Sequence, residues 1–107
     1  MKIIFLLDLQ SHELDAIMDL VKTKSIFLDT RKRTEEIEYN EIKSEINKFL
    51  NSSFEIMIVR FSGRESIVKD LGDEYSEMIV ALSTSKRSVY YTSELRNVFY
   101  KMMNVIV

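Results

Sequence analysis

FEIMIVRF, residues 54–61, alternates in part, is rich in β-branched and aromatic side chains, and ends at Ser62-Gly63. That composition suits a pleated strand buried mainly on one face, and it is the clearest strand signal in the chain. Working outward, Ile42, Ile46, Phe49 and Leu50 form a helical stripe just upstream, with Asn40 as N-cap and Asn51-Ser52-Ser53 as the stop. Before it, residues 26–39 (IFLDTRKRTEEIEY) set an apolar triplet and an alternating EIEY on either side of a charged middle. This reads as two short strands around a polar turn. From Ser11, the residues Leu14, Ile17, Met18 and Val21 recur at i, i+3, i+4 and i+7, with Glu13, Asp15, Asp19 and Lys22 on the other face. An amphipathic helix with Ser11 as N-cap follows, its early carboxylates near the positive end of the helix dipole. The short apolar run KIIFLLDL at 2–9 is taken as a strand, although periodicity does not separate strand from helix start at this length.

On the C-terminal side, a short helical or irregular piece surrounds Ile67 and Leu71, and Gly72 breaks the chain. EMIVALS (77–83) and SVYYT (88–92) then read as an antiparallel pair across Thr84 to Arg87. Leu95, Val98, Phe99, Met102, Met103 and Ile106 stand at helical spacing behind Thr92 or Ser93 as cap, so a last helix is expected to pack on the sheet. The elements permit an α+β fold spanning residues 1–107 as one domain, with a mixed or antiparallel sheet of four to five strands and helices covering one face. Ile17, Met18, Ile46, Phe49, Ile56, Ile58, Val80, Phe99 and Met102 are the expected core, where an unpaired charge is strongly unfavourable.

At 107 residues the chain is the size of one domain, and 46% apolar with 30% charged residues is the balance of a folded protein. The 17 acidic and 15 basic side chains leave a formal charge of -2, so the basic excess of a dedicated nucleic-acid domain is missing. Without cysteine there is no disulfide framework, thiolate metal site or cysteine nucleophile, which suits a reducing compartment. The opening KIIFLLDLQSHELD puts Asp8, His12 and Glu13 where a small-residue cleavage site would lie, so it is read as mature structure. No apolar run reaches the roughly 20 residues that span a bilayer, and a soluble, cytoplasmic protein is expected.

Catalytic constellations are sparse. His12 is the only histidine; with Asp8, Glu13 and Asp15 it invites a metal or acid–base reading, but solvated helix starts carry the same residues. Asp29 with Glu41-Ile42-Lys43 has the spacing of the acidic-x-Lys pattern of Mg²⁺ nucleases, yet Ile42 and Ile46 mark this region as helical, whereas such pairs are displayed from strands. No serine lies in a G-x-S-x-G setting, and Gly63 and Gly72 are too isolated for a phosphate cradle. Arg31-Lys32-Arg33 with Lys86-Arg87 can touch phosphates, but Glu35, Glu36 and Glu38 follow and cancel part of the field. The expectation is a non-enzymatic chain with no cofactor and no metal.

The segment Asp70-Leu71-Gly72-Asp73-Glu74-Tyr75-Ser76-Glu77 carries four carboxylates and a tyrosine around a glycine-permitted turn. It can offer acceptors to a basic protein surface, with Asp70, Asp73, Glu74 and Glu77 as contacts and Tyr75 as anchor; the plainer reading is a polar connection with Tyr75 turned into the core. One domain long, cysteine-free, slightly acidic and rich in Ile and Lys, the chain resembles the small immunity proteins of bacterial toxin–immunity systems, including contact-dependent growth inhibition. The resemblance is one of overall character and carries no family residue onto this sequence. It implies a cytoplasmic protein that binds a cognate toxin, often a nuclease, and blocks its active site. The alternatives are a nucleic-acid-associated regulator using the two basic clusters, a small carboxylate-dependent enzyme whose residues converge only in three dimensions, and a homodimer formed through the C-terminal stripe.

Overall fold

Five apolar residues in succession, Ile3 to Leu7, are all buried, and their strand occupies the middle of the sheet. The structure is a computed structural model that describes residues 2–20, 25–75, 78–83 and 88–90. The elements run β1 (Ile3–Asp8), α1 (Ser11–Leu20), β2 (Ser25–Asp29), α2 (Glu35–Leu50), β3 (Ile56–Arg60), α3 (Glu65–Glu74), β4 (Ile79–Ser83) and β5 (Ser88–Tyr90). They form one five-stranded sheet in the order β2-β3-β1-β4-β5.

The α+β class and the strand number agree with expectation, but of the mixed or antiparallel sheet expected, only one pair is antiparallel. β2, β3, β1 and β4 are mutually parallel; only the three-residue β5 runs antiparallel, pairing Ala81 with Tyr90 and Ser83 with Ser88. Each parallel neighbour needs a crossover helix, and α1, α2 and α3 supply them. Right-handed crossovers assign the faces. The chain steps one way from β1 to β2 and the other way from β2 to β3 and from β3 to β4, so α2 and α3 share one face and α1 takes the opposite one. The packing agrees: Ile42, Ile46 and Phe49 of α2 and Ile67, Val68 and Leu71 of α3 share a core with Ile4, Leu6, Met57, Val59, Ile79 and Ala81. Phe5, Leu7, Ile58 and Val80, which alternate to the other face, are also fully buried. Helices on one face only is therefore corrected to helices on both, and burial on both sides explains why β1 is a continuous apolar run.

The second correction is local. EIEY is not a strand: α2 begins at Glu35 after Thr34, more than a turn and a half earlier than the Asn40 cap. Its buried stripe is Glu38, Ile42, Ile46 and Phe49, while Ile37 is 54% exposed. The polarity at 37 and 38 is inverted relative to an ordinary amphipathic helix, which produced the false alternation. At α1, Gln10 takes the capping position instead of Ser11: its carbonyl accepts from Leu14 N–H, and its N–H donates to Glu13 Oε1 at 2.9 Å, half of a capping box.

Among the expected core residues, Ile46, Phe49, Ile58 and Val80 are fully buried and Met18 and Ile56 partly so. The side chain of Ile17, and Phe99 and Met102 with the whole C-terminal helix, lie outside the described residues. No helix among the described residues is long and apolar enough to cross a membrane.

A basic side chain closes the amino end of the sheet. Lys2 Nζ donates to the carbonyls of Phe49 (3.0 Å), Ser52 (2.9 Å) and Phe54 (2.5 Å) and lies 4.6 Å from the centre of the Phe49 ring. It neutralises the negative end of α2 and fixes the entry into β3.

Candidate functional site

Parallel open sheets gather loops at the carboxyl ends of their strands, and ligand crevices form there where the crossovers change direction. In this chain the change falls between β1 and β3, whose following helices take opposite faces. Asp8 ends β1, and Gly63 follows β3 with φ +84°, the left-handed region that glycine tolerates. A Cβ placed on Gly63 would overlap Asp8 Oδ2, so the carboxyl group rests directly on the glycine backbone. Arg60 Nε donates to Leu9 O at 3.2 Å and ties the two strand ends together.

Beside this crevice lies the most organised polar cluster among the described residues. Glu38 is 0% exposed. Its Oε2 accepts from Thr30 Oγ1 (2.8 Å) and Ser62 N–H (3.0 Å), and its Oε1 from Ser62 Oγ (2.5 Å) and Arg64 Nη1 (3.1 Å). The same guanidinium donates to Arg33 O at 3.3 Å, and Ser66 Oγ donates to Glu35 Oε1. A buried carboxylate is stabilised by charge-assisted donors of this kind and by the adjacent amino end of its own helix. With four donors converging on two oxygens, Glu38 fastens the β2–α2 and β3–α3 loops to each other. Sequence reading missed it, although extending the Ile42-Ile46-Phe49 stripe back one turn lands on position 38.

The basic cluster at 31–33 is largely engaged. Arg31 forks onto Asp29, with Nε at 3.0 Å and Nη2 at 2.8 Å, and this guanidinium holds the Asp29 carboxyl below its ordinary value of 3.8. Arg33 pairs with Glu41 at 3.0 Å. Lys86 and Arg87 lie outside the described residues. Glu41 and Lys43, the acidic-x-Lys pair, sit on α2 and turn to separate partners, Arg33 and Glu74. His12 is exposed on α1, and no metal-ligating group of three is found among the described residues.

The acidic segment is mostly helix. Asp70, Asp73 and Glu74 belong to the second half of α3, which continues through Gly72 instead of turning there. Asp70 and Asp73 are exposed and carry no ion pair among the described residues. Glu74 is bound by Lys43 at 3.2 Å. Tyr75 is only 8% exposed and packs in the core, its hydroxyl 3.5 Å from Asn47 Oδ1. The anchor role is thus corrected: the ring that was to meet a partner closes the α2–α3 interface. Glu77 lies outside the described residues. Glu65, Ser66, Val68, Lys69, Gly72 and Asp73 line an open groove of about 430 Å³ along α3. Val68 is buried at its base, and nothing lies within 4 Å of where a Gly72 side chain would stand.

Fold and site together define a small open-sheet protein with parallel crossovers, a buried carboxylate fastener and an acidic helix groove. No family model matches the chain, and no curated protein or solved structure matches it either.

Proposed function

We propose that this chain is a protein-binding module that receives a basic partner along the outer side of α3. The observation that carries this reading is the groove, with an apolar base at Val68, bare backbone at Gly72 and the Asp73 carboxylate on its rim. A lysine or arginine from a partner can lay its aliphatic stem over Val68 and Gly72 while its charge meets Asp73, with Asp70 one turn away. Lys69 also lines the groove and selects against a partner that presents its charge on that side. The likeness to toxin-immunity proteins supplies the class of partner: a toxin domain, basic because a nuclease cleft is built for phosphate, met in the cytoplasm and blocked at its active site. Affinity capture with the wild-type chain and with Asp70→Asn/Asp73→Asn as baits tests this. A basic protein recovered in stoichiometric amount by the first and lost from the second is the expected result; equal recovery removes α3 from the account.

A second reading, a carboxylate-dependent enzyme, is favoured by Asp8 resting on Gly63 at the crossover crevice. A Mg²⁺-dependent rise in Tm that Asp8→Asn abolishes would support it, and the absence of any such rise would set it aside.

A further inference from the structure

β2 is an edge strand, and its hydrogen-bonding pattern is readable residue by residue. Thr30 N–H donates to Arg60 O at 2.9 Å, so position 30 turns its main-chain groups toward β3. Main-chain groups alternate sides along a strand. Ile26 and Leu28 therefore face β3, while Ser25, Phe27 and Asp29 direct their N–H and C=O groups outward, where no strand among the described residues pairs with them. Phe27 is 49% exposed, and its register partner Ile58 places it on the face opposite α2 and α3. The strand has neither proline nor lysine, the residues that commonly protect an edge.

The outward set 25, 27 and 29 is symmetric about Phe27. An antiparallel strand related by a two-fold axis at Phe27 sets Phe27 against its own copy and Ser25 against Asp29 in both directions. Every outward N–H then meets an outward C=O, the exposed rings stack against each other, and each carboxylate faces a hydroxyl. Moving the axis to Asp29 would bring like charges together, and moving it to Ile26 or Leu28 would set Phe27 against Ser25 or Asp29, so the two exposed rings would no longer meet. We infer that β2 is the site at which a second copy of this chain pairs, edge to edge, to continue the sheet through a two-fold axis at Phe27. This rests on the ladder geometry alone and is independent of the α3 reading.

The chain contains no cysteine, so a single introduced thiol reports the contact without background. Residues opposed in a hydrogen-bonded antiparallel pair have Cα atoms about 5.5 Å apart, within disulfide reach. The wild-type protein is expected to sediment as a dimer whose population rises with concentration. Phe27→Cys should cross-link rapidly under mild oxidation, whereas Ile37→Cys, slightly more exposed but on α2, should not. Phe27→Pro removes an outward donor and no β2–β3 bond, so with an unchanged circular dichroism spectrum it should raise the dimer dissociation constant more than about tenfold. A wild-type monomer at the highest concentration that stays in solution overturns the inference. So does a dimer in which Phe27→Cys cross-links no faster than Ile37→Cys.

Discussion

Glu38 and Ser62 stand 24 positions apart in sequence, yet one carboxylate accepts both the main-chain N–H and the hydroxyl of that serine. The contact joins the start of α2 to the turn after β3, and Thr30 and Arg64 complete it from β2 and from the approach to α3. Removing the acid leaves the buried Thr30 donor and the part-buried donors of Ser62 and Arg64 without their acceptor together. Glu38→Ala is expected to cost about 3 kcal/mol, the lower end for breaking a buried pair because Arg64 remains partly solvated. Glu38→Gln, which keeps one acceptor oxygen but turns an amide toward donors, should fall between the alanine variant and wild type. Urea denaturation midpoints give the order, and equal midpoints for all three proteins would show that the cluster does not hold the loops.

Gly63 combines a positive φ with the Asp8 carboxyl at its Cα. Gly63→Ala should lose about 2 kcal/mol from backbone strain, before any displacement of Asp8. Adding Asp8→Ser to it should restore only the further loss that comes from the contact and leave the strain in place. Thermal unfolding of the two variants separates the contributions.

Lys2 donates to three carbonyls around the end of α2. Lys2→Met keeps the aliphatic stem and deletes the donors, and a loss of about 2 kcal/mol is expected for a charged, partly buried hydrogen-bonding group. A midpoint within error of wild type would mean that water replaces those bonds without cost.

Burial, followed by the neighbouring Glu74 charge, raises the Tyr75 hydroxyl above its ordinary value of 10.0. The hydrogen bond from Lys43 to Glu74 raises the Lys43 ammonium above 10.5. A group whose folded value is raised contributes fully below its unfolded value and loses that contribution as pH climbs through the folded one. Stability should therefore decline above about pH 10, near the free tyrosine value, and Tyr75→Phe should flatten the decline while changing neutral stability by less than about 1 kcal/mol, because its hydroxyl contact is long. Asp29 acts at the other extreme: its lowered carboxyl contributes above the unfolded value and is lost as pH falls below it. Denaturant midpoints across pH check both signs.

The strand at 54–61, the first helix and the β4–β5 pair were legible in the sequence because apolar patterning marked them, whereas the run at 2–9 was also compatible with a helix start and the first helix is capped by Gln10, not Ser11. Sheet direction was not legible, since FEIMIVRF reads the same whether its neighbours run with it or against it, and only the crossover helices decide. α2 was half hidden because Glu38 occupies a core position and Ile37 a surface one, an inversion that only the donors from Thr30, Ser62 and Arg64 make stable. The acidic segment was visible as charge, but the sequence did not separate exposed Asp70 and Asp73 from Glu74, held by Lys43, and Tyr75, held by the core. Such assignments depend on residues from other elements.

The central functional claim, that α3 receives a basic protein, is tested most directly by titrating the captured partner against wild-type chain and Asp70→Asn/Asp73→Asn over a range of salt concentrations. Wild-type affinity is expected to fall as salt rises, and the double variant to bind more weakly with a shallower salt dependence, both proteins keeping the same circular dichroism spectrum. Identical affinity and identical salt dependence for the two proteins would contradict the claim.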